Sequence, residues 1–161
     1  MNLLNRPDRV GAFANVGLTL ILVAIANTAI FSLGLGADDP AYLALWYSPP
    51  GWFVAIVWFT IYILWGLARW RVVQEGEKGA EVSWWVLYII IDGLFFPIRT
   101  RNFDIYGSLF ENAISLLLII FVTWRVYRVS KRGAYLLMPS IAWTSFANFL
   151  GWAAVANGAK P

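Results

Sequence analysis

Long apolar stretches alternate with short polar ones along the whole chain, and five of them read as helices: residues 10–35, 50–72, 82–98, 106–127 and 134–156. A helix rises about 1.5 Å per residue, so roughly 20 residues cross a hydrocarbon layer about 30 Å thick. Each run is near that length. The third is the shortest and holds Asp92 and Pro97, which makes it the least regular span. A backbone inside lipid must satisfy its own hydrogen bonds, and connections this short favour a helical bundle over a barrel. The pattern therefore predicts an all-α membrane protein, a five transmembrane helix bundle forming one domain over residues 1–161.

Composition agrees with that pattern. The chain is 60% hydrophobic and 13% charged, against about 45–50% and 25% in soluble domains, so apolar surface is left over to face a lipid bilayer. Cysteine is absent, which removes disulfides and thiolate chemistry. Histidine is absent as well, and with it go the commonest metal ligand, the usual haem axial ligand and the usual general base. No catalytic constellation is visible, so an enzyme is not the expected reading. The net charge of +3 is modest and its basic residues lie between apolar runs, a topology signal that argues against a nucleic-acid partner.

Those basic residues are unevenly shared between the two sides. Arg6 and Arg9, then Arg69, Arg71 and Lys78, then Arg125, Arg128, Lys131 and Arg132 put nine on one side, against Arg99, Arg101 and Lys160 on the other. The excess predicts a cytoplasmic N-terminus and an external C-terminus for a multi-pass protein; the location expected for it, on grounds other than charge, is a bacterial inner membrane. No signal-peptide cleavage pattern is evident. The first run, followed by Asp38 and Asp39, reads as a retained span.

Aromatic and turn residues gather between the first two runs. The connection 36–49 combines Gly36, Asp38, Asp39 and Pro40 with Tyr42, Trp46 and Tyr47. Such a segment is either an interfacial aromatic belt or a lid over a cavity on the outer face. Pro49 and Pro50 suit a helix start, because proline fixes φ and lacks the N–H that a first turn leaves unpaired. From there Trp58, Tyr62, Trp65 and Arg69 share one helix face, and Trp52, Ala55 and Phe59 share a neighbouring one. Stripes of this kind serve packing or lipid contact more often than ligand binding.

Two acids sit within or close to apolar runs. Asp92 is deep enough that a lone charge would be costly, so it must pair, face a cavity or become neutral. A structural hydrogen bond, a ligand contact and proton handling all remain open for it. Glu111 lies near a helix start, where it can be solvated, and nothing in the sequence brings the two acids together. The Arg and Lys side chains at helix ends are expected to snorkel. Gly11, Ala12, Ala14 and Gly17 are small enough for close helix contacts, within one chain or between protomers of a homodimer.

The segment from Trp46 to Trp70 resembles the TspO/MBR family, the tryptophan-rich sensory protein and translocator protein group. That family carries K-P-x-W-x-P-P-x-W, a further Trp six residues on, and G-x-A-x-W. Here Tyr47 stands at the first Trp, while Pro49, Pro50, Trp52, Trp58, Tyr62, Gly66, Ala68 and Trp70 keep the spacing; Ala44-Leu45 replaces Lys-Pro. The family's N-x-x-W-x-P is similar to Asp92-Gly93-Leu94-Phe95-Phe96-Pro97. Its L-L-x-P-Y-x-x-W-x-x-F-A-x-x-L-N is echoed by Leu136, Leu137, Pro139, Trp143, Phe146, Ala147 and Leu150, with Ser140 for Tyr and Gly151 for Asn. The aromatic and basic residues of the proposed cholesterol-recognition pattern are missing after Leu150.

The resemblance implies a five-helix bundle, commonly dimeric, whose cavity accepts porphyrins. Carried over residue by residue, it lines a pocket with Tyr47, Trp52, Ala55, Trp58, Asp92, Phe95, Trp143, Ala147 and Leu150. Small residues at Ala55, Ala147 and Gly151 would allow close approach, and Arg side chains near a helix end would meet propionates. It further implies a receptor or transporter-like protein that binds tetrapyrroles, such as porphyrins and haem precursors, or other flat apolar ligands, and modulates pigment or stress metabolism. No cofactor is required, porphyrin or haem being the ligand. The alternative is a structural or assembly subunit docked to a larger pigment-binding membrane complex. Light-dependent porphyrin breakdown, associated with some relatives, is the enzymatic version.

Overall fold

The computed structural model describes residues 3–32 and 45–158. A short 3-10 turn at Leu3–Asn5 precedes five helices: α1 (Arg9–Ser32), α2 (Gly51–Val73), α3 (Glu77–Thr100), α4 (Ile105–Val129) and α5 (Lys131–Ala156). No strand occurs among the described residues. The first four helices are long and apolar enough to cross a membrane. α5 is the longest at 26 residues, but Ser140, Thr144, Ser145 and Asn148 interrupt its apolar character. The chain is thus a helical membrane bundle.

The helices run past the apolar runs at several ends. α3 begins at Glu77, five residues before the expected 82, and α5 at Lys131 instead of 134. Hydropathy marks only the part of a helix that suits hydrocarbon, whereas the hydrogen-bonded backbone continues into the polar boundary. Pro97 and Pro139 both lie inside helices. Each removes one backbone donor without ending its helix, as neighbouring helices allow in membrane bundles.

Connections are tight because their residues match the backbone they need. Gly76 turns α2 into α3 with φ of 62°, a left-handed conformation that costs a side-chain-bearing residue about 1–2 kcal/mol. A single residue, Ser130, joins α4 to α5: its N–H donates to the Val126 carbonyl at 2.7 Å, and its hydroxyl accepts from the Gly133 amide at 3.4 Å. Asp104 starts α4, its carboxylate accepting from the Gly107 amide at 2.7 Å. Asp8 does the same for α1 through the Gly11 amide at 3.0 Å. The Arg6 guanidinium, aided by that amide, holds the Asp8 carboxyl below the usual carboxylate range.

α2 is the hub of the bundle, packing against α1, α3 and α5, while α4 closes the ring between α3 and α5. Its buried stripe of Ile61, Tyr62, Trp65, Ala68 and Val72 meets buried Val86, Ile89 and Ile90 of α3 and Leu137 of α5. α1 lies close against Gly66, where an added Cβ would lie 3.0 Å from the Val16 Cα and the Thr19 hydroxyl. Gly17 has open space beside it, and Gly11 packs against the Arg6 carbonyl. The small residue that seats α1 on the bundle therefore belongs to α2.

Arg69 departs from the snorkelling expectation. It is buried at 4% exposure, and its guanidinium donates to the Asn15 side-chain oxygen and, at 3.3 Å, to the Leu4 carbonyl. Trp70 and Gln74 donate to the carbonyls of Asp8 and Pro7, both at 2.9 Å. The N-terminal segment is thereby strapped across the basic end of α2.

Candidate ligand cleft between α2 and α5

Pro49 and Pro50 set where α2 begins. Pro50 has the extended φ and ψ of a helix cap, and its carbonyl receives the amides of Phe53 at 2.9 Å and Val54 at 3.2 Å. This start directs Val54 and Trp58 toward α5. Together with Pro49 they face Trp143, Phe146, Ala147 and Leu150 across a partly enclosed cleft of about 70 Å³. Drug-sized ligands usually occupy roughly 300–1,000 Å³, so the cleft stands nearly closed.

Aromatic rings form its walls and floor. The Trp143 ring lies 6.2 Å from Phe53 and 5.7 Å from Phe146, centroid to centroid. Below, Trp58, Tyr62 and Trp65 make a mutual cluster with spacings of 5.9, 6.5 and 5.4 Å. The Trp65 indole N–H donates to the Ser140 hydroxyl at 3.1 Å, and that hydroxyl donates to the Leu137 carbonyl at 2.6 Å. Both side chains are fully buried. This polar tie fixes α2 to α5 beneath the rings.

Of the nine residues assigned to a pocket from the sequence, Trp58, Trp143, Ala147 and Leu150 line this cleft. The other five stand elsewhere. Tyr47 is exposed and packs edge-on against Trp46 at 5.3 Å. Trp52 is 66% exposed, with its ring 5.9 Å from Phe53, and Ala55 is exposed on the same side of α2 as Phe59. Phe95 points outward from α3 at 54% exposure. Gly151 is pressed against Leu109, whose Cδ2 would come within 2.3 Å of an added Cβ, so it serves the α4–α5 contact. The expected lid falls outside the described residues up to position 44.

Asp92 is engaged in an ion pair. Its carboxylate accepts from the Arg99 Nη1 at 2.8 Å, and the Arg99 Nε reaches the Glu111 carboxylate at 3.3 Å. Two acids and one cation thus join α3 to α4. Arg99 is already matched by two carboxylates and is poorly placed to receive a ligand carboxylate as well. The seven-residue spacing of Asp92 and Arg99 puts them on one helix face and was available in the sequence. Glu111 joins them only through the pairing of α3 with α4. Phe146, Val54 and Pro49 were also missed as wall residues, although all three flank the aromatic motifs. Among the described residues no group of His, Cys, Asp and Glu side chains is placed to hold a metal.

These features define a multi-pass integral membrane protein, rich in tryptophan, with Trp65 fully buried and an aromatic cleft between its second and fifth helices. The TspO/MBR family model matches residues 18–156, nearly the whole bundle, and the chain belongs to that family. It is similar to "Tryptophan-rich protein TspO" of Chlorobaculum tepidum, 29% identical over 66% of this chain and 70% of the relative. It is also similar to "Tryptophan-rich sensory protein" of Cereibacter sphaeroides, 24% identical over 68% and 70%. A third relative is "Protein CrtK" of Rhodobacter capsulatus, 27% identical over 79% and 82%.

Proposed function

We propose that the protein is a receptor or transporter-like member of its family that binds a flat apolar ligand, a tetrapyrrole in the first instance, between α2 and α5, and so modulates pigment or stress metabolism. The observation that carries this reading is the cleft itself: Trp58, Trp143 and Phe146 face one another around unfilled space. A planar macrocycle gains from aromatic stacking and from leaving water. Its size exceeds the closed cleft several-fold, so binding requires α2 and α5 to part above the Trp65–Ser140 tie. The charge asymmetry supports placing the basic end at the cytoplasmic side of a bacterial inner membrane.

Titrating the purified protein with protoporphyrin, and following tryptophan fluorescence, tests the proposal. Saturable quenching is expected, with affinity falling about fivefold or more in Trp58→Ala and Trp143→Ala, since an aromatic contact contributes about 1 kcal/mol beyond its area. Unsaturable quenching that neither substitution changes would overturn it. That result would favour the second reading, an assembly subunit docked to a larger pigment-binding complex. The near closure of the cleft and the outward stripe of Trp52, Ala55 and Phe59 speak for this alternative.

A further inference from the structure

Away from the α2–α5 cleft, the halves of α3 and α4 nearest the basic end leave a second hollow. It measures about 670 Å³, is shallow and largely open, and is lined by Glu81, Trp84, Trp85, Tyr88 and Leu118. Trp84 and Tyr88 are more than half exposed, and the lining is apolar apart from Glu81 at one end. That end is closed by a charged rim. Arg125 donates to the Glu81 carboxylate at 2.7 Å and lies 5.9 Å over the Phe121 ring, which itself packs against Trp85 at 5.4 Å. Arg128, one turn further along α4, lies 5.6 Å over Trp124 and has no ion-pair partner among the described residues. Lys131 lies 5.8 Å over Tyr127 beside it.

We propose that this α3–α4 groove is a binding site for an anionic phospholipid, one acyl chain lying against Trp84, Tyr88 and Leu118 and the phosphate meeting Arg125 and Arg128. The polar and apolar parts are in the order such a molecule needs: a trough of Trp84, Trp85, Tyr88 and Leu118, then basic side chains carried over Phe121, Trp124 and Tyr127. Glu81 is paired with Arg125, whereas Arg128 and Lys131 make no ion pair among the described residues and so are available to a phosphate. Basic pockets between membrane helices select anionic headgroups for this reason. A second copy of the chain is a poorer occupant, because a two-fold pairing through this groove sets the basic rim close to its own equivalent. A zwitterionic lipid fits the trough but brings its own cation to the rim.

Native mass spectrometry of the detergent-purified protein, incubated with phosphatidylglycerol or phosphatidylcholine of identical acyl chains, reads the preference directly. The anionic lipid should be retained about fivefold more than the zwitterionic one for each basic residue engaged. Arg125→Gln with Arg128→Gln should bring the ratio close to one. Trp84→Ala should weaken both lipids alike and leave their ratio in place. Because loss of Arg125 frees Glu81, Arg128→Gln alone, at an exposed position, provides a variant that keeps the ion pair. Equal retention of the two lipids by the unaltered protein overturns the proposal. So does a preference that survives both arginine substitutions, or a dimer that Trp84→Ala splits while lipid retention stays unchanged.

Discussion

A guanidinium inside a helix contact keeps its charge only if oxygens are brought to it, and Arg69 receives them from a segment more than 50 positions away. Asn15 supplies a side-chain oxygen and Leu4 a carbonyl, with no carboxylate bonded to it among the described residues. A hydrogen bond to a charged group contributes about 1.5–3 kcal/mol. Asn15→Leu should therefore lower stability by about 2 kcal/mol, read as a shift in the midpoint of unfolding in mixed detergent micelles. An unchanged midpoint would mean that water, and not Asn15, solvates the guanidinium. The face shared by Trp58, Tyr62, Trp65 and Arg69 was legible from helical spacing alone, and Tyr62, Trp65 and Arg69 are indeed buried. What spacing does not reveal is which oxygen each polar tip finds. Ser140, read as the loss of a tyrosine, is the acceptor for Trp65, and Arg99 bridges two acids that the sequence left apart.

At the level of elements, the helices were legible because hydropathy over 20 residues is a strong signal, and their ends less so because charged turns such as Glu77–Glu81 are also helical. Helix neighbours lay beyond composition. Small residues in the first run pointed to α1 as the source of close contacts, yet Gly66 of α2 provides the space. Replacing Gly66 by Val would drive Cγ atoms into the backbone of α1 and should cost about 1–3 kcal/mol, as overpacking does. Gly17→Val meets nothing within 4 Å and should be nearly neutral. Thermal unfolding of the two variants side by side checks the assignment, and equal losses would contradict it. The cleft was only partly legible for the same reason. Trp143, Ala147 and Leu150 follow from one stripe of α5, but the wall opposite depends on how the Pro49–Pro50 start rotates α2.

For the molecule as a whole, the charge asymmetry makes orientation testable in an intact cell. The sequence contains no cysteine, so single cysteines placed at Glu75 and at Asn102, both exposed and at opposite ends of α3, report without background. A membrane-impermeant maleimide should label the Asn102 position in unbroken cells and the Glu75 position only after lysis. The reverse pattern would place the basic end outside. The joint at Ser130 then bears on how the cleft opens. A connection of one residue has no slack, so α4 and α5 are hinged like two blades at the end of α5 opposite Leu150, with Trp143 near the middle of the blade. Any parting of α5 from α2 is consequently smallest at that pivot and greatest at the far tip. A guest would thus be admitted by a wedge-shaped gape, not by two rods sliding apart in parallel.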